Sequence, residues 1–120
     1  MKKRVLCIED NADTVELISE ILKDYEVVPA KNLQDAERKA AAGKFDLYLV
    51  DYYLTDGLGL EFILKVKSLD SQTPILIVTG SPVEESKAES LGAVGIINKA
   101  SMSFVDDLRN QVSQILATAE

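Results

Sequence analysis

Five times along this chain a short apolar run stops at a polar or charged residue, and a segment of helical periodicity follows. The run at residues 5–8 (VLCI) meets Glu9 and Asp10, after which Val15, Ile18, Ile21, Leu22 and Tyr25 predict a helix over about residues 12–24. YEVVPA (residues 25–30) predicts a strand, with Pro29 placing it at a sheet edge or strand end. Asn32 and Asp35 provide a cap and first turn for a helix with a face of Leu33, Ala36 and Ala40, ended by Gly43. LYLVD (residues 47–51) predicts a third strand, followed by the glycine-marked loop LTDGLG and a helix carrying Leu60, Ile63, Leu64 and Lys67. Pro74 opens the strand ILIVT, which stops at Thr79 and Gly80; Ser81, Pro82 and Glu84 then form a helix start, and Leu91-Gly92 its end. VGIIN (residues 94–98) delivers Lys99, and a last helix over about residues 103–118 carries Phe104, Leu108, Val112, Ile115 and Leu116.

Strands without strict alternation, each followed by a helix, imply a parallel sheet covered on both faces. Right-handed crossovers then restrict an α/β chain of five strands and five helices mainly to the doubly wound orders; if the order is 2-1-3-4-5, strands one and three flank the point where it reverses. At 120 residues this is one domain, spanning residues 1–120. Apolar and charged fractions of 47% and 28% are those of a folded globular chain. No apolar run approaches the roughly 20 residues of a membrane span, and the start MKKRVLCIED lacks a signal-peptide core, so no membrane insertion and a cytoplasmic location are expected.

Two absences narrow the chemistry. The chain has no histidine, hence no His general base, His metal ligand or Ser-His-Asp triad. A metal held here must be a hard, oxygen-seeking one. The single Cys7 lies in an apolar run and reads as a core thiol. A net charge of −7 argues against direct nucleic-acid binding.

In an open parallel sheet the carboxyl ends of the strands share one edge, where ligands bind. Here those ends present Glu9, Asp10, Asp51, Thr79 and Lys99. Each has a bland reading: solvated loop starts for the acids, a cap in Asp10-Asn11, a strand hydroxyl in Thr79, a surface charge in Lys99. Asp51 resists it, because a carboxylate closing an apolar strand is expensive to bury unless paired or used. Clustered carboxylates raise one another's pKa values unless a cation neutralises them, and Mg2+ does this while accepting phosphate oxygens. A carboxylate beside such an ion can become an aspartyl phosphate, with a cation and a hydroxyl to hold the phosphoryl oxygens.

Four segments in order, VLCIED, DLYLVDYYLTDGLG, PILIVTG and GAVGIINK, closely resemble the receiver domain of two-component response regulators over essentially the whole chain. The resemblance implies a flavodoxin-like fold and a phosphorelay signalling domain rather than an enzyme. Asp51 would take phosphate from a sensor histidine kinase or histidine phosphotransfer protein. Asp10, Asp51 and the backbone carbonyl of Tyr53 would hold Mg2+, with Glu9 assisting, and Lys99 and Thr79 would contact the phosphoryl group. It also implies a switched surface over roughly residues 82–117 that meets a downstream protein target.

The chain departs from the family pattern at several points. Ala100 replaces the proline common after the lysine, predicting a less rigid Lys99 loop. SMSFVDDL looks longer than usual, and Thr55 stands where proline is common, while Gly59 keeps the loop's glycine. Ile96 occupies the place of a tyrosine or phenylalanine that turns inward on activation, so the signal is expected to be weaker or to run through the loop after Thr79 and the fourth helix. Tyr53 and Ser81 sit where the family tunes phosphate hydrolysis. The leading expectation is a stand-alone, phosphorylation-controlled interaction module. A degenerate receiver that binds partners without phosphate is the alternative; an aspartyl-nucleophile phosphatase is disfavoured, since Tyr53 replaces its second acid.

Overall fold

The computed structural model describes residues 2–70, 72–80 and 85–117. In chain order its elements are β1 (Arg4–Ile8), α1 (Ala12–Ile21), β2 (Glu26–Ala30), α2 (Leu33–Ala42), β3 (Leu47–Val50), β4 (Tyr53–Leu54), β5 (Gly57–Leu58), α3 (Gly59–Leu69), β6 (Ile75–Thr79), α4 (Glu85–Ser90), β7 (Gly95–Asn98) and α5 (Phe104–Ala117). Five of the strands form a parallel sheet in the order β2-β1-β3-β6-β7, the doubly wound order 2-1-3-4-5 expected from the sequence. Pro29 sits in β2, an edge strand, where its missing N–H breaks no ladder on a second side.

Side-chain alternation along the buried strands divides the core between two faces. Leu6, Ile8, Tyr48, Val50, Ile75 and Ile77 face α2, α3 and α4, where Ala36, Phe62, Ile63, Val66 and Ala88 cover them. Val5, Cys7, Leu47, Leu49, Leu76, Val78 and Ile97 face α1 and α5, meeting Ile18, Phe104, Leu108, Val112 and Leu116. Both faces of the sheet are thus covered, as apolar strands without strict alternation require.

The structure differs from the sequence reading at the ends and in one loop. α1 stops at Ile21 rather than near residue 24, because the Leu22 N–H closes the last turn on Ile18 O and Tyr25 N–H then turns back to Leu22 O. α5 begins at Phe104, with Ser103 Oγ bonded to Asp107 Oδ2 at 2.7 Å. The LTDGLG loop holds an antiparallel hairpin, β4–β5, with Tyr53 opposite Leu58 and Leu54 opposite Gly57. The helix start assigned to Ser81, Pro82 and Glu84, and residue 118 at the chain's end, lie outside the described residues.

Asp70 fixes the turn that leads from α3 into β6. Its carboxylate accepts the Gln72 N–H at 3.0 Å, the Thr73 N–H at 3.2 Å and the Thr73 hydroxyl at 2.5 Å. The Thr73 hydroxyl and the two backbone donors, outweighing partial desolvation, hold Asp70 below the usual carboxylate range. A carboxylate depressed in the folded state adds stability that is complete above its unfolded pKa and is lost as pH falls through the folded value. Asp70→Ala is therefore expected to lose about 1–2 kcal/mol at neutral pH. The deficit against wild type should shrink below about pH 4. Denaturant melts of both proteins at neutral and acid pH check this.

Candidate functional site

The register of the sheet brings the polar strand ends together. Ile8 pairs with Val50, so the residues that follow them, Glu9 and Asp51, emerge side by side. Backbone bonds fix both exits: Glu9 N–H to Ala30 O at 2.9 Å and Asp51 N–H to Ile8 O at 3.0 Å. On the other flank Thr79 pairs with Asn98, and the Lys99 N–H donates to Thr79 O at 2.9 Å.

Lys99 crosses the edge. Its Nζ lies 2.6 Å from Glu9 Oε1 and 3.1 Å from Asp51 Oδ2. Glu9, Asp51 and Thr79 are buried, at 3%, 7% and 2% exposure, whereas Asp10 is exposed. One carboxylate oxygen from each of Glu9, Asp10 and Asp51 lies within 4.8 Å of the others. Burial opposes the charge on Lys99, but its hydrogen bond to Glu9 and the field of Asp51 outweigh that and raise its pKa. Asp10 is also raised, first by desolvation and then by the adjacent Glu9. Burial, reinforced by Glu9, pushes the Cys7 thiol up to about 12, which leaves a core side chain and no nucleophile.

Local chemistry holds each acid in place. Glu9 Oε2 accepts the Asn11 N–H at 3.1 Å, and Asn11 caps α1 by accepting the Thr14 N–H at 3.0 Å. Asn11 alone is the α1 cap, leaving the Asp10 carboxylate available to the cluster. Tyr53 begins the hairpin beyond Asp51, and its N–H reaches Asp51 Oδ1 at 3.4 Å. The structure therefore gathers Glu9, Asp10, Asp51 and Lys99 directly, with Thr79 and Tyr53 on the flanking backbone.

Three supporting contacts went unread in the sequence. Asp56, in the hairpin turn, accepts the Leu33 N–H at 2.9 Å and the Gln34 N–H at 3.3 Å, which ties the loop after Asp51 to the start of α2. The Gly59 N–H donates to Tyr52 O at 2.7 Å, and a β-carbon at this position would fall 2.2 Å from Asp51 O. Lys87 of α4 lies over the ring of Tyr52. The Asp56 and Lys87 contacts join segments distant in sequence, which no local pattern marks, whereas the Gly59 bond closes the loop on itself. A concavity of about 800 Å3 between α2 and α3 is lined by Phe45, Tyr48, Phe62 and Thr73 at the opposite end of the sheet. Charge and register, not the size of a cavity, locate this site.

A profile described as the response regulator receiver domain matches residues 5–113. The phosphate regulon transcriptional regulatory protein PhoB of Escherichia coli K12 is 30% identical over 105 residues, covering 82% of this chain and 46% of PhoB. This chain thus spans about half the length of that relative. Among solved structures, a CheY-like receiver domain protein of Methanospirillum hungatei superposes with a TM-score of 0.89 at 26% identity, covering 99% of this chain and 97% of its own. TrrA of Thermotoga maritima, solved in complex with Mg2+ and a beryllium fluoride, gives a TM-score of 0.85 at 27% identity, with 95% and 99% covered. Among the described residues no helix is long and apolar enough to cross a membrane.

Proposed function

The chain belongs to the response regulator receiver family, and from that premise we propose that Asp51 is its phosphoacceptor within a single receiver domain, residues 1–120. The observation that carries this reading is the cluster itself: three carboxylates with ligating oxygens within 4.8 Å, spanned by one lysine. Three formal negative charges against the single Lys99 ammonium leave the pocket short of positive charge. A hard oxygen donor set of this kind fits Mg2+. Glu9, Asp10, Asp51 and the Tyr53 carbonyl are the residues that would hold it. When bound, Mg2+ supplies charge neutralisation for the carboxylates and for the incoming phosphoryl oxygens.

The rest of the chemistry belongs to the chain. An Asp51 carboxylate oxygen attacks phosphorus; the new O–P bond forms as the P–N bond to the donor imidazole breaks, and the bonding pair leaves on the imidazole nitrogen. The donor imidazole lies outside residues 1–120, which hold no histidine. A sensor histidine kinase or a histidine phosphotransfer protein provides it. Lys99, already within hydrogen-bond reach of Asp51, donates to a phosphoryl oxygen, and the Thr79 hydroxyl donates to another. The added charge draws Thr79 and Lys99 toward Asp51 and shifts a two-state equilibrium in α4, β7 and α5, the surface presented to a downstream protein.

Incubation with Mg2+ and acetyl phosphate tests the reading. One added phosphoryl group by intact mass is expected in the wild type, and none in Asp51→Asn or when Mg2+ is chelated. An unmodified wild type under cold, short incubation overturns it and favours a receiver that binds partners without phosphate.

A further inference from the structure

The residue after Asp51 joins the site to a helix distant in sequence. Tyr52 is 4% exposed, and its carbonyl anchors the start of α3 through the Gly59 N–H. Its ring stands edge-on to Tyr53, with centroids 5.0 Å apart. Over that ring, 5.6 Å from the centroid, lies Lys87 Nζ of α4. Ala88, the next residue of α4, is buried in the same apolar cluster as Tyr52, with Leu91 packed against it. Tyr52 thus shares a core cluster with α4 and meets it directly through a cation on its ring face.

We propose that Tyr52 is a positioning residue for the switch: the Lys87 ammonium on its ring holds α4 in the unphosphorylated arrangement, and charge added to Asp51 biases that contact. This rests on Asp51 being the phosphoacceptor. Phosphorylation replaces a carboxylate by a group carrying about −1.5 to −2 charges. Lys99 already serves two acids, Glu9 and Asp51. Lys87 is a second cation, reached through the ring adjoining Asp51 in the chain. The partly buried Ile96, in the same cluster, has neither a ring face nor a polar atom with which to sense the change. A single cation–ring contact is weak, so the coupling it carries is a few-fold change in an equilibrium. Coupling is reciprocal, so loosening Lys87 must alter the affinity of the acid pocket for a phosphoryl mimic.

Titration with beryllofluoride in saturating Mg2+, followed by amide NMR, tests this in the wild type, Tyr52→Phe, Tyr52→Leu and Lys87→Gln. The wild type and Tyr52→Phe, which keeps the ring, should shift amides both around Asp51 and Lys99 and in residues 85–92. Tyr52→Leu and Lys87→Gln should keep the shifts at Asp51 and Lys99, reduce those in 85–92, and change the apparent affinity a few-fold in the same direction. Lys87→Gln indistinguishable from wild type in both readouts overturns the proposal. So does an effect confined to Tyr52→Leu, which would make the ring a packing element only. A wild type that leaves every amide unmoved overturns the phosphoacceptor reading itself, an outcome separable from the other two.

Discussion

Lys99→Met is expected to lose about 2–4 kcal/mol of stability in metal-free buffer at neutral pH, a large share of what holds a domain of this size folded. The size follows from what the substitution leaves behind. Methionine fills a similar unbranched volume, so packing changes little, but Glu9 at 3% exposure and Asp51 at 7% lose their common counter-charge. Removing one partner of a buried pair strands the other, and here it strands two. The lysine is itself 21% exposed, which keeps the figure below the top of the range for fully buried pairs. The sign with pH is fixed as well. Lys99 is raised above its ordinary value of 10.5, so its contribution is complete below that pH and is lost as pH rises through the folded value. Added Mg2+ should restore more stability to the mutant than to the wild type. Urea melts with and without Mg2+ decide it, and a mutant within about 0.5 kcal/mol of wild type would contradict the burial argument.

Gly59→Ala is expected to cost a similar amount for a different reason. A β-carbon built at residue 59 meets the Asp51 carbonyl oxygen at 2.2 Å and Val50 Cγ1 at 2.7 Å. The first of these is backbone, held by the strand exit, and cannot rotate away. Gly59 is also bound from its own N–H to Tyr52 O at 2.7 Å, so the contact is closed on both sides. Either α3 moves off the sheet or the chain at Asp51 shifts. A loss of about 2–4 kcal/mol is expected, with impaired phosphoryl acceptance. Gly80→Ala is the matched control, since among the described residues a β-carbon there meets Lys99 Cε at 3.9 Å, an ordinary contact. Equal melting curves for the two variants would refute the steric account.

The contrast between these two residues shows what was legible in the chain. Glu9, Asp51, Thr79 and Lys99 were readable because each ends an apolar strand and parallel strands end on one edge. The doubly wound class followed from the same alternation, together with the handedness of crossovers, whereas neither of them selects the particular order 2-1-3-4-5. Gly59 was visible only as a loop glycine; its close approach to Asp51 O depends on how α3 docks on β3, which no local pattern encodes. The two-residue ladder of β4 and β5 is too short to leave an alternation, and its turn pair, Thr55-Asp56, lacks the glycine of the common two-residue hairpin turns. Asp56 on the α2 start and Lys87 on Tyr52 join residues 22 or more apart in sequence. Such contacts are products of the fold, and become visible only once it is formed. The sequence pattern overruns the end of α1 because Leu22 and Tyr25 keep the apolar spacing after the backbone has already turned.

The central claim is that Asp51 carries the phosphoryl group, and it can be read at the residue itself. After incubation with Mg2+ and acetyl phosphate, borohydride reduction converts an aspartyl phosphate to homoserine, which peptide mass mapping locates. The account predicts homoserine at position 51 alone, present with Mg2+ and absent without it. Homoserine at any other aspartate, or none at position 51 in a sample whose intact mass shows the added phosphoryl group, would contradict it.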